Sequence, residues 1–211
     1  MQDPLILVEG GDDAHFFQHF LWKTTGYPYK AGKAIVQQGS IEQLLKRTAA
    51  IDGDSNKIIA VICDADNDPA GRWRQLRERI GLQILPNTPP PDGSILQLPR
   101  NRRLGVWMMP DNLRTGTLET FLAGIRSEAA PQPQLWSKSK ATVAALEHRL
   151  FAEKDIPKAE LRTWLAWQKE PGASPGLAVT LDCFDLTHPL AVSLADWFRR
   201  LLPAPPPRPT G

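Results

Sequence analysis

For its first 125 or so residues the chain alternates short apolar runs with amphipathic stretches. LILVE (5–9) is apolar until it ends on a carboxylate, which reads as a buried strand. DDAHFFQHFLWK follows with Phe16, Phe17 and Phe20 on one helical face and Asp12 or Asp13 placed to cap it. AIVQQ predicts a second strand and SIEQLLKRTAAI a second helix. Ser40 opens that helix with Gln43 three residues on, and Glu42 adds negative charge to its first turn. KIIAVICDAD is continuously apolar until its aspartates, the pattern of a strand buried on both faces of a parallel sheet. PAGRWRQLRERIG carries its proline at the start and its glycine at the end, as helices do. LQILP, SILQLP and LGVWMMPD predict three more strands, and TLETFLAGI another helix. The alternation predicts an α/β fold: a Rossmann-like, mostly parallel sheet flanked by helices and joined by right-handed crossovers.

Beyond residue 125 the strand signals stop. SEAAPQPQ reads as a linker-like break before three helices, KATVAALEHRLFAEK, KAELRTWLAWQKE and HPLAVSLADWFRRLL. The last offers Leu190, Leu194, Trp197, Phe198 and Leu201 for burial, while Trp164 and Trp167 repeat at helical spacing with Leu161 and Leu165. The expected organisation is an α/β domain over 1–125, a helical extension packed on it over 126–202, and a disordered Pro-rich tail over 203–211.

Composition narrows the partners. At 211 residues and 42% hydrophobic the chain can bury a substantial core, and a net charge of +2 leaves no strong overall field. Nucleic-acid binding would therefore need a local basic patch. Two cysteines argue against a disulfide framework or a cysteine zinc site. No basic leader and no membrane-length apolar segment is evident, so a soluble cytoplasmic protein without a membrane partner is expected.

Two stretches carry chemistry. ILVEGGDD leaves Glu9 at the carboxyl end of the first strand, where open parallel sheets place their sites. VICDADNDP ends a later strand on Asp64 and Asp66, and residues two apart on extended backbone project from the same face. If the two strands are neighbours, three carboxylates meet at one sheet edge and repel one another unless a cation or protons intervene. All-oxygen donors select a hard cation, Mg2+ or Mn2+. Asp68, before Pro69, reads as a turn former, and no Gly-rich phosphate loop with a lysine is present.

VEGGDD followed some fifty residues later by CDADNDP resembles the topoisomerase–primase (Toprim) signature. MMPDNLRTGTLETFL is similar to a segment of small Toprim-like proteins related to the OLD-family nucleases. The resemblance covers residues 4–125 well and the C-terminal helices loosely. It implies a Mg2+- or Mn2+-dependent nuclease or related phosphodiester-processing enzyme acting on nucleic acid, DNA before RNA, in defence or repair. By position it makes Glu9, Asp64 and Asp66 catalytic. It assigns Glu9, Asp13, Asp64, Asp66 and Glu119 as metal ligands, with Asp64 bridging two ions about 4 Å apart. Glu9 could instead stay off the metal and shuttle a proton. The chain departs from the pattern at Gly11, where a polar or basic residue is expected. It lacks the ATPase segment of OLD nucleases, which would make any ATPase partner a separate chain. Tyr27 and Tyr29 stand in no topoisomerase context.

The remaining candidates are weaker. Asp111 is either an outer-shell residue of the same edge or part of a turn built by Pro110, Asp111 and Asn112. Arg72 is placed to hold a phosphate through its planar donors, and Arg100, Arg102 and Arg103 form the best backbone-tracking patch. His15 and His19 share a spacing used by metal sites but lack a third zinc-type ligand. Two other readings fit parts of the pattern: a non-catalytic Toprim-like binding or regulatory module, and a DxD glycosyltransferase, which explains DAD but not Glu9.

Overall fold

A computed structural model of the chain describes residues 4–30, 32–51, 55–81, 83–129 and 131–203. The proline-rich tail lies outside the described residues except for Pro203. Five strands form one sheet in the order β2-β1-β3-β5-β4: β1 (Leu5–Val8), β2 (Ile35–Gln37), β3 (Ile58–Asp64), β4 (Ser94–Leu98) and β5 (Arg102–Met109). Only the edge strand β4 runs antiparallel. The helices are α1 (Gly11–Thr25), α2 (Ile41–Ala49), α3 (Pro69–Ile80), α4 (Leu118–Gly124), α5 (Gln132–Ala144), α6 (Ile156–Leu165), α7 (Pro175–Thr180) and α8 (Pro189–Leu201). The expected α/β class, with its mostly parallel sheet and C-terminal helices, is what the structure has.

Strand periodicity divides the core in two. Ile6, Val8, Ala60, Ile62, Trp107 and Met109 face α1, α4 and α8 with their aromatic residues. Leu7, Ile59, Val61, Cys63, Leu104, Val106 and Met108 face the other way, against Leu44 and Leu45 of α2 and Trp73 and Leu76 of α3. Because both faces of β3 are covered, its sequence is apolar at every position until Asp64. The first face is sealed by a chain of aromatic rings, Phe16 against Phe121 and Phe17 against Phe198, which ties the N-terminal helix to the last one.

Three sequence expectations are corrected. LQILP is not a strand over residues 83–86; Leu85 is buried as an anchor, and the Pro86 carbonyl accepts the Trp73 indole N–H at 3.0 Å. The helix expected over 140–154 instead runs Gln132–Ala144, starting within the supposed linker, because Pro133 seeds its first turn and Trp136, Ser139 and Val143 give it a buried face. Past Ala144 that face has nothing to pack on: Leu146 is 44% and Leu150 fully exposed, and the helix ends. The short helix α7, which the sequence reading missed, is opened by the Ser174 side chain accepting the Leu177 N–H, with Pro175 in its first turn. No helix among the described residues is long and apolar enough to cross a membrane.

Candidate acidic site at the carboxyl edge of the sheet

The parallel pairing of β1 and β3 brings Glu9 beside Asp64. Glu9 Oε1 accepts the Asp64 N–H at 2.9 Å, so the first strand's carboxylate caps the end of the central strand. A second contact, 54 residues apart in sequence, brings in α4: the Leu118 N–H donates to Asp64 Oδ1 at 3.0 Å. The approach is fixed by paired backbone hydrogen bonds between Asp66 and Gly116, of 2.9 and 2.7 Å. Gly116 has a φ of 138°, and a Cβ there would strike the Thr120 side chain at 2.7 Å. Glu119 follows one residue after Leu118, its Oε2 accepting from the Thr117 hydroxyl at 2.8 Å.

The tight turn in VEGGDD resolves differently from expectation. The N-cap of α1 is Gly10, not an aspartate, and Asp13 Oδ2 accepts the Gly10 N–H at 2.7 Å. Glu9, Asp13, Asp64 and Glu119 line one open depression of about 580 Å³. A larger groove of about 800 Å³ runs along α8, but its side chains include no buried titratable group, and its acids Asp92 and Asp196 already pair with Arg200 and Arg199.

The depression is electrostatically unsettled. Burial pushes the Glu9 carboxyl from 4.5 to about 7, helped by Asp13 and Asp66 and opposed by the Asp64 N–H and Arg72. Burial likewise raises Asp13 from 3.8 to about 6, with Glu119 and Asp12 adding to it against the Gly10 N–H and Lys158. Asp64 is driven well above the usual carboxylate range by burial and then by Asp13, Glu9, Glu119 and Asp66. None of Glu9, Asp13 and Asp64 has an ion pair among the described residues.

Asp66 departs from the expected constellation. The extended chain ends at Asp64, and Asp66 takes a φ of 52°, so the two carboxylates do not share a strand face. Asp66 pairs instead with Arg72 at 2.5 Å. That also corrects the reading of Arg72 as a free phosphate holder. Its Nε donates to the Asp64 carbonyl and its other nitrogens to Gln75 and Asp66, and its side chain is only 10% exposed.

The basic patch is corrected for the same reason. Arg102 is 6% exposed and donates to the Ile51 and Pro99 carbonyls. Arg103 donates to the Arg200 carbonyl on α8. Arg100 is exposed, and its carbonyl accepts from Lys57. Asp111 turns away from the edge to accept from the Leu113 and Arg114 amides and the Arg114 guanidinium, as the turn reading had it. Asn112 completes that turn by accepting the Met108 N–H at 2.8 Å. Asp68 caps α3 at Gly71 as expected, and His19 bonds Thr180 rather than His15.

Two charged positions near the depression escaped the sequence reading. Lys158, on α6, lines the depression and stands 3.4 Å from Glu119 Oε1. Burial would lower its pKa, but Glu119, then Asp12 and Asp13, hold it above its ordinary value. One helical turn on, Arg162 pairs with Asp12 at 2.6 Å. The signal was faint: two cations four apart in KAELR, in a helix read as extension.

A family model described as a protein of unknown function, DUF3226, matches residues 3–203. The chain belongs to the DUF3226 family. No curated protein and no solved structure matches it. For this DUF3226 member the chemistry of the site has to be argued from its donors. Each of these half-buried carboxylates has one oxygen held by a backbone N–H: Oε1 of Glu9, Oδ2 of Asp13 and Oδ1 of Asp64. The second oxygen of each has no hydrogen-bond partner among the described residues. Among the described residues no group of three or more His, Cys, Asp or Glu is gathered closely enough to hold a metal ion as it stands. Repelling carboxylates with free oxygens around one depression have the donor chemistry of a hard-cation site, with Glu9 and Asp64 adjacent as its first pair.

Proposed function

We propose that the protein is a Mg2+- or Mn2+-dependent phosphodiester-processing enzyme of Toprim-like type, acting on nucleic acid, DNA before RNA, in the cytoplasm. A separate ATPase chain is its expected partner. The observation that carries this reading is the trio Glu9, Asp13 and Asp64: gathered half-buried at the carboxyl edge of a parallel sheet, raised in pKa and without an ion pair of their own. A fold gains no stability from three such acids, and a site does. The two cysteines are free, in keeping with a reducing compartment.

The chain's own residues divide the work. Glu9 and Asp64, with Asp13, would hold the cation, whose chemistry is to polarise a phosphoryl oxygen and lower the pKa of a bound water. Were Glu9 instead off the cation, its raised carboxyl would be the group to take up or return a proton near neutral pH. The Leu118 N–H orients Asp64, and the Asp66–Arg72 pair with the Asp66–Gly116 bridge fixes where β3 ends.

A non-catalytic binding module is the second reading. It is favoured by one observation, that Asp66 and Glu119 are engaged by Arg72 and Lys158. Cleavage of supercoiled plasmid and of single-stranded DNA and RNA with Mg2+ or Mn2+ separates the two. The enzyme reading expects metal-dependent nicking that Asp64→Ala and Glu9→Ala each reduce at least about a thousandfold. Nicking that survives both substitutions, or none on any substrate, leaves the binding module.

A further inference from the structure

The two-ion arrangement that the Toprim-like resemblance implies needs free carboxylates on both sides of Asp64. The structure supplies them on one side. Beyond Asp64, Asp66 is taken by Arg72. Across the depression, Glu119 faces the Lys158 ammonium at 3.4 Å. Asp12, at the rim, is taken by Arg162 at 2.6 Å. Glu9, Asp13 and Asp64 remain.

We propose that the Lys158 ammonium stands where a second metal ion would sit, so that the depression takes a single divalent cation between Glu9 and Asp64. This rests on the metal-dependent reading above and fixes its stoichiometry. A lysine ammonium is a compact, strongly hydrated point charge, the side chain nearest in kind to a small cation. It is also held in place. Lys158 and Arg162 lie four residues apart on α6, so they share a helix face, and both grip acids of the depression. The Arg162–Asp12 pair fixes the turn of α6 from which Lys158 reaches Glu119. A divalent ion entering between Asp13 and Glu119 would meet the ammonium at short range and be repelled. No basic side chain pairs with the Glu9 or Asp64 carboxylate; the nearest, Arg72, is spent on the Asp66 carboxylate, Gln75 and the Asp64 carbonyl.

The test is Mn2+ titration of the full chain, followed by electron paramagnetic resonance. The native protein is expected to bind one Mn2+ per chain with an uncoupled spectrum. Lys158→Met is expected to bind two, with the broadening of spin-coupled ions, and Lys158→Arg to return to one. The half-exposed position of Lys158 makes both variants compatible with folding, which circular dichroism checks. Two coupled ions in the native chain would overturn the inference while leaving the metal-dependent reading in place. A single ion in Lys158→Met would do the same. Absence of Mn2+ binding by both the native chain and Lys158→Met would overturn the inference together with the reading on which it rests.

Discussion

Two regions of the molecule gather like charges and settle them in opposite ways. In PRNRR, three arginines fall within four residues, yet Arg102 spends its donors on the Ile51 and Pro99 carbonyls and Arg103 on Arg200. Each has its own acceptor, and the cluster does the work of pinning β5 to its surroundings. At the acidic edge the charges come from separate segments, and Glu9, Asp13 and Asp64 meet with no cation of their own. A cluster that the fold satisfies is structure. One that the fold assembles and leaves unsatisfied is held in readiness for something else.

That contrast can be broken by measurement, and pH gives the largest effect. Glu9 has a folded pKa near 7 against 4.5 ordinarily, so the folded chain binds the proton more tightly. Its contribution is fully present below about pH 4.5 and is lost as pH rises through about 7. By linkage this amounts to about 3 kcal/mol from Glu9 alone. Metal-free denaturant melts at stepped pH should show stability falling across that window, and Glu9→Gln should flatten the fall. A stability that climbs from pH 5 to pH 7 in the native chain would break the account of the acidic edge.

Charge removal should then act with opposite sign in the two regions. Arg102→Met strands two carbonyls and should cost about 2 kcal/mol in a urea melt. Asp64→Asn keeps an oxygen for the Leu118 N–H and removes a repelling charge, so without metal it should gain about 1 kcal/mol at pH 8. The smallest effect belongs to Arg100→Ala at an exposed turn. It should move stability by less than about 0.5 kcal/mol and lower the salt dependence of any DNA binding by at most about one phosphate contact.

The same physics decides what could be read from the sequence. β1 and β3 were legible because strands buried on both faces have no polar position to confuse the pattern, and Glu9 and Asp64 were conspicuous as the first charges after those runs. Ser40 and Asp68 were legible because a cap acts over three residues. Asp66 was misread because its conformation is set by Gly116, fifty residues on, through backbone bonds that leave no local trace. LQILP has a strand's composition but serves as an anchor beneath α3. Where α5 ends depends on whether another element covers Leu146 and Leu150, which is a tertiary fact. Lys158 and Arg162 stayed hidden for the same reason: only the packing of α6 against α4, and its ion pairs to Asp12 and Glu119, bring them to acids up to 150 residues away.

The central claim is that the acidic edge lacks a cation and takes one. It is tested most directly by the thermal melting temperature at pH 8 with and without Mg2+ or Mn2+, in the native chain and in Asp64→Asn. A ligand that binds only the folded state stabilises it in proportion to the logarithm of its excess. The account predicts a rise of several degrees in the native chain, saturating at millimolar metal, and little or none in Asp64→Asn. No rise in the native chain, or an equal rise in both, would contradict it.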